Sequence, residues 1–283
     1  MIIENKVGAR ESDGQLQQYE HIAEQWCGEY ADGTPPLLLF LTPQGRNPTS
    51  GTSDTWLCLS YAQLASALRK TLRSRPHAPG TGWLSEETAD SPERLAAEEI
   101  WVVDPIDGTK EFIKGIPEFA ISIGLALRGE IVVGVIYNPA RDELFWAGRG
   151  EGARLNGDAI RVSERGGIDG AMLDASRAEC RRGEFENYAR SFTVHEIGRI
   201  AYKLARVAAG RADVTWSLGS KNEWDIAAGV LLVEEAGGRA TDPRGGAFRF
   251  NRETTKVLGI LATNGRLLEA ALRVVAPEMA RRG

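Results

Sequence analysis

The chain has 283 residues, 42% of them hydrophobic, with 34 basic against 39 acidic side chains and a net charge of -5. That length buries one large core or two joined subdomains, and the mildly acidic balance without a long basic block does not suggest a groove for a nucleic-acid polymer or an anionic membrane surface, while leaving room for a local basic pocket for a nucleotide-sized ligand. Cys27, Cys58 and Cys180 stand far apart with no C-x-x-C pair, so they read as reduced thiols of a cytoplasmic protein, not a disulfide framework or zinc site.

In chain order, Gln15 to Trp26 reads as a helix and Leu37 to Leu41 as a buried strand, broken by Thr42-Pro43-Gln44-Gly45 and a polar run through Asp54. The apolar stretch Pro35 to Leu41 is far too short to span a bilayer, and no basic segment precedes an apolar one at the start, so neither membrane insertion nor secretion is expected. Tyr61 to Arg75 carries Leu64, Ala67, Leu68 and Leu72 at helical spacing and stops at Pro76 and Pro79-Gly80. Gly82 to Ser85 is a short apolar approach to Glu86-Glu87, a pair that taken alone reads as a solvated loop or helix start. Ile100 to Val103 is a buried-strand run, expected to stop at Asp104 because Pro105 cannot donate to a ladder.

Phe119 to Leu127 and Ile131 to Tyr137 form an antiparallel hairpin across Arg128-Gly129-Glu130, Leu144 to Ala147 adds a strand, and Asn156-Gly157 suits a type I′ turn. Strands then alternate with helices: Met172 to Ser176, helix Glu179 to Arg190, Phe192 to Ile197, helix Ile200 to Ala209, Ala212 to Ser217, and helix Asp225 to Ala236, ended by Gly237-Gly238. This rhythm predicts a layered α/β fold with an antiparallel part, not an all-parallel one. The expected division is an N-terminal segment 1–78, an α+β part 79–165 with the main acidic motif, and an α/β part 166–283, with the last boundary near Ser163 to Gly170.

The chemistry concentrates at Asp104-Pro105-Ile106-Asp107-Gly108. Two carboxylates three residues apart across a turn can aim at one point, where they repel unless one is protonated or a cation sits between them, and oxygen-only ligands suit Mg²⁺. An ordinary Asp/Pro/Gly turn is the competing reading of those five residues. Asp225, at the start of an apolar helix, likewise reads by itself as a cap.

The longer string W-V-V-D-P-I-D-G-T-K-E-F, Trp101 to Phe112, followed by Gly115, resembles the signature of the inositol monophosphatase superfamily, magnesium-dependent and lithium-sensitive sugar-phosphate phosphatases. Its K-E-F ending is similar to the branch that hydrolyses 3'(2'),5'-bisphosphate nucleotides, as are the segments around Tyr202-Lys203 and Trp216 to Lys221. Near Leu218 inositol-specific members carry a glutamate that this chain lacks. From about Gly82 onward the resemblance implies an α-β-α-β-α sandwich and two or three Mg²⁺ ions held by Glu86, Asp104, the Ile106 carbonyl, Asp107 and Asp225. Glu86, Asp104 and Thr109 would be catalytic, Thr109 orienting the water. Asp107, Gly108, Thr109 and Asp225 would meet the substrate, with backbone N–H groups of Gly108 and Thr109 receiving phosphate oxygens.

The implied reaction is removal of the 3'-phosphate of adenosine 3',5'-bisphosphate by metal-activated water. The alternatives are an inositol or other sugar-phosphate monophosphatase, or a catalytically impaired phosphatase-fold binding protein. The expected partner is a small phosphorylated substrate, and a homodimer is compatible with it. The family's K-x-D-x-S-P-V-T-x-A-D segment, whose aspartate helps bind metal and activate water, is absent from the string. Instead Ile3-Glu4-Asn5-Lys6-Val7, Leu41 to Arg46 and Leu59-Ser60-Tyr61 resemble the later part of a PD-(D/E)-x-K nuclease domain. Glu4 and Lys6 would be its E-x-K pair, and Met1 leaves no room for the strand bearing the partner aspartate. That resemblance implies two joined fragments, each short of part of its site.

Overall fold

The computed structural model describes residues 2–5, 38–42, 56–60 and 81–282. The chain divides into two compact units, Met1–Ser74 and Arg75–Gly283. In the first, β1 (Ile2–Asn5), β2 (Leu38–Thr42) and β3 (Trp56–Ser60) form a parallel sheet in that order, with Glu4 opposite Phe40 and Phe40 opposite Cys58. The expected helices Gln15 to Trp26 and Tyr61 to Arg75 lie outside the described residues, as do Lys6 and Asp54.

The second unit opens with a seven-stranded sheet in the order β10-β9-β8-β7-β6-β5-β4. Its strands are β4 (Thr81–Ser85), β5 (Glu99–Asp107), β6 (Ala120–Leu127), β7 (Glu130–Asn138), β8 (Glu143–Gly148), β9 (Gly152–Leu155) and β10 (Asp158–Ile160). All neighbours are antiparallel except β4 and β5, which run parallel. The turns at Arg128-Gly129 and Asn156-Gly157 have positive φ at both central residues, as type I′ hairpins require.

Two expectations fail here for identifiable reasons. β5 does not stop at Asp104 but continues to Asp107, because Pro105 falls in a register irregularity between the pairs Asp104–Ser122 and Asp107–Ala120, where the missing N–H is not needed. The helix expected from Glu179 to Arg190 is only α2 (Arg177–Arg181), broken at Gly183 with φ 76°, and followed by a short 3₁₀ turn at Glu186–Tyr188.

A five-stranded sheet of order β12-β11-β13-β17-β15 forms the other layer, from β11 (Ala171–Ser176), β12 (Phe192–Ile197), β13 (Val214–Ser217), β15 (Arg239–Thr241) and β17 (Ile260–Thr263). β11 to β13 pair in parallel, and β17 joins antiparallel to both β13 and β15. Between the sheets lie α3 (Ile200–Ala208) and α4 (Glu223–Glu235), preceded by α1 (Thr109–Ile113) after β5. The ribbon β14 (Lys221–Asn222) with β16 (Lys256–Val257) leads into α4. On the outer face of the five-stranded sheet, Ala271, Val275 and Met279 of α5 (Leu268–Arg282) pack with Leu173, Val214, Trp216 and Leu261 in a second core. The layers sheet, helices, sheet, helix are four of the five layers of the expected α-β-α-β-α sandwich.

The close seating of α4 has a sequence cause. Gly124 and Gly134 face each other across β6 and β7. A Cβ on Gly134 would come within 2.8 Å of the Ala228 carbonyl oxygen, and one on Gly124 within 3.2 Å of Ala227 Cβ. Two missing side chains thus let the Ala227-Ala228 backbone lie on the sheet, which carries the N-terminus of α4 toward the end of β5.

Candidate active site

The irregular end of β5 shapes the site. Asp104 folds back to accept a hydrogen bond from the Ile106 N–H at 3.0 Å, and the chain then turns through Gly108 at φ 108°, a conformation open to glycine, into α1. Asp107 points the other way along the turn and accepts the N–H of Ala201, in the first turn of α3, at 2.8 Å. Glu86 follows β4 immediately, its N–H donating to the Val103 carbonyl, so the ladder itself sets it beside the end of β5. Asp225 is in the first turn of α4, three residues past Asn222, whose N–H it accepts at 2.7 Å. Its capping role and its place in the site coexist: it accepts the Asn222 N–H and also lines the cavity.

These residues line one cavity of about 360 Å³: Glu86, Asp104, Ile106, Asp107, Gly108, Thr109 and Asp225 all face it. Asp104 is 1% exposed and Asp107 8%. Burial, followed by the charge of Asp107, holds the Asp104 carboxyl well above the ordinary carboxylate range, with Glu86 and Asp225 adding to the effect. Burial and the nearby Asp225 push Asp107 up to about 7, against the opposing pull of the Ala201 N–H and Arg199. Burial likewise pushes Asp225 up to about 6, opposed by the Asn222 N–H and Lys221.

Among the described residues no three such side chains are drawn in around a single point. The donor set nevertheless fits a hard divalent cation. It is all oxygen, it is partly desolvated, and its members raise one another's proton affinity, which is the electrostatic signature of a place where positive charge is stabilising.

Sequence reasoning left out most of the rest of the lining, which is basic and hydroxylic: Lys110, Arg199, Lys203 and Lys221, with Ser176, Ser217, Ser220 and Glu179. Lys203, in α3, is 1% exposed, and burial lowers its pKa, with Glu179 opposing. Among the described residues its ammonium has no hydrogen-bond or ion-pair partner. Glu179 accepts from the Ser217 hydroxyl through one oxygen, while the other is buried and unpartnered. A lysine in the middle of Ile200-Ala201-Tyr202-Lys203-Leu204-Ala205 was the available signal, because an ionisable group on the apolar stripe of a helix faces something polar inside. His195 instead hydrogen-bonds buried Asp174 on the neighbouring strand, away from the cavity lining, and Cys180 is a free thiol. No helix of the described residues is long and apolar enough to cross a membrane.

Fold and cavity together define a layered α/β protein with an acidic, oxygen-rich site at the end of a sheet strand. The family model for the inositol monophosphatase family matches residues 57–280, and that for the PD-(D/E)XK nuclease superfamily matches residues 1–82. Over 212 residues the chain is 39% identical to an inositol-1-monophosphatase of Mesorhizobium japonicum, covering 72% of this chain and 77% of that protein. It is 38% identical over 193 residues to the Nus factor SuhB of Pseudomonas aeruginosa, covering 65% and 69%. The structure of an inositol monophosphatase from Anabaena matches with a TM-score of 0.63 at 33% identity, over 76% of this chain and 84% of that one. The chain belongs to the inositol monophosphatase family.

Proposed function

We propose that the protein is a Mg²⁺-dependent phosphate monoesterase that removes the 3'-phosphate of adenosine 3',5'-bisphosphate. The observation that carries this reading is one cavity lined by five carboxylates, Glu86, Asp104, Asp107, Asp225 and Glu179, together with more basic groups than a single phosphate needs. Glu86, Asp104, Asp107, Asp225 and the Ile106 carbonyl would hold the cations. Bound there, Mg²⁺ supplies an acidified water and screens the charge of the attacking and leaving oxygens.

The chain's own residues do the rest. The Thr109 hydroxyl, 3.5 Å from the Ile106 carbonyl at the start of α1, orients the attacking water, and Glu86, solvent-facing at the end of β4, takes a proton from it. Backbone N–H groups at Gly108 and Thr109 receive non-bridging oxygens of the phosphate. Lys203 and Lys221 supply positive charge for the second phosphate of a bisphosphate substrate, and the glutamate that inositol-specific members carry near Leu218 is absent from this chain.

A second reading, hydrolysis of inositol monophosphate, draws on the names of the relatives and on the buried, half-partnered Glu179, which offers an acceptor to a hydroxyl. Phosphate release from adenosine 3',5'-bisphosphate and from inositol 1-phosphate, each with Mg²⁺ and with chelator, separates the two. A preference for the nucleotide supports the first reading, and turnover of inositol 1-phosphate alone replaces it with the second. A folded protein that binds phosphate but releases none from either is an impaired member of the family. Inhibition by lithium is the expected accompaniment of activity.

A further inference from the structure

Arg199 belongs to no motif of the sequence, yet it is built into the turn that holds the acidic residues. It precedes α3 as its N-cap residue, with the backbone held in place by the Ala201 N–H to Asp107 two residues on. Its stem crosses Gly108 so closely that a Cβ on that glycine would lie 3.0 Å from Arg199 Cγ. Its Nε donates to Glu111 Oε2 at 2.9 Å, and Glu111 lies in the first turn of α1, directly after Gly108 and Thr109. Stem and head are thus both fastened to the Gly108–Glu111 turn. Among the described residues the two terminal guanidinium nitrogens hydrogen-bond to nothing, and Arg199 lines the same cavity as Asp107, Gly108 and Thr109.

We propose that Arg199 is a substrate-contacting residue that donates through its terminal N–H groups to the phosphate being transferred, and that Glu111 is its positioning residue. This rests on the phosphate monoesterase reading. A guanidinium whose Nε is already engaged presents its two remaining nitrogens as a planar fork, the geometry that matches two oxygens of a phosphate. A fixed cation over the developing charge assists the transition state because no reorganisation is needed when the charge moves. The bond to Glu111 fixes the direction of a guanidinium on a side chain that is still 38% exposed. One of its three donor nitrogens is tied off from the side.

The test compares the full chain with Arg199→Gln, Arg199→Lys and Glu111→Gln in two assays run with Mg²⁺. One measures inorganic phosphate binding by calorimetry. The other measures turnover of two esters with unlike alcohols, p-nitrophenyl phosphate and adenosine 3',5'-bisphosphate. Arg199→Gln is expected to weaken inorganic phosphate about 10- to 100-fold, the range for a charge-assisted contact, and to lower kcat/KM by a similar factor for both esters. Arg199→Lys keeps the charge and recovers part of both losses, while Glu111→Gln lowers kcat about 3- to 10-fold with a smaller effect on phosphate binding. Should Arg199→Gln fail to fold, the lysine and Glu111 variants carry the test.

Unchanged phosphate affinity in folded Arg199→Gln overturns the proposal. A loss confined to one ester also overturns it, since the residue would then read the alcohol and not the phosphate. If the wild-type chain hydrolyses neither ester, the monoesterase reading fails by itself, and the phosphate-binding comparison still decides the role of Arg199.

Discussion

Two sets of side chains share the cavity, and they were placed there by different means. The acidic set, Asp104, Asp107, Asp225 and Glu86, comes from strand ends and a helix start, and the first three each tie one oxygen to a backbone N–H. The basic set includes a lysine buried in a helix with no partner among the described residues and an arginine braced by a glutamate. Asp104 and Asp225 are held by backbone N–H groups two or three residues away, whereas Asp107, bonded to the Ala201 N–H, and the basic groups depend on packing between elements far apart in the chain. Each set is incomplete in charge without a ligand of its own: the first calls for cations, the second for an anion.

The strongest way to break this contrast is to remove the central acid. Asp104→Asn keeps shape but removes the charge, so Mg²⁺-dependent phosphate release should fall by about 10³-fold or more while the circular dichroism spectrum is retained. Normal turnover in that variant would mean the carboxylates are only structural.

Next comes the scaffold under Asp225. Gly134→Ala puts a methyl group against the Ala228 carbonyl and must lift α4 or bend β7, costing about 2 kcal/mol in denaturant unfolding. Because Asp225 rides on α4, Mg²⁺ affinity should drop more than phosphate affinity in this variant, and equal losses would show that the two sets are not separately supported.

Lys203→Met tests the other side. It removes a desolvated, unpaired charge, so stability should hold or rise, while KM for a bisphosphate substrate rises about 10-fold with little change for a monophosphate. An unaltered KM would remove Lys203 from the substrate side of the comparison.

The smallest expected effect is on pH dependence. Asp107 and Asp225 bind protons more tightly in the folded state than in the unfolded one, with values pushed up to about 7 and about 6. Between the ordinary carboxylate range and about pH 7 the folded state therefore carries extra protons, and these groups lower stability progressively as pH rises through that window. Mg²⁺ should reverse that loss. Its stabilising shift in Tm should be small at pH 5, where protons compete, and grow by a few degrees up to pH 8. A shift independent of pH would argue against ion binding at these carboxylates.

Much of this architecture could be read along the chain. The hairpins at Arg128-Gly129 and Asn156-Gly157 were legible because positive φ and period-two alternation are local properties, and Asp104 to Thr109 because strand end, turn and acids are contiguous. The break in α2 was missed because a helical stretch of charged residues hides a glycine that takes positive φ. The strand β17, an interior strand of its sheet, was missed because so short a run, Ile260-Leu261-Ala262-Thr263, carries no periodicity that tells it from a loop. Arg199 went unread as a cavity residue because nothing in its neighbourhood says that the cap of α3 is turned toward Gly108, whereas Lys203 left a signal in its place on an apolar run.

By itself the sequence determined where the backbone turns and where carboxylates are presented, since steric rules and hydrogen bonding act over a few residues. Only the tertiary structure decided that Glu86, Asp225 and the basic groups share a cavity with Asp104, and how tightly those acids hold their protons. Both depend on burial and on charges delivered by packing, such as α4 settling on Gly124 and Gly134, between residues about a hundred positions apart.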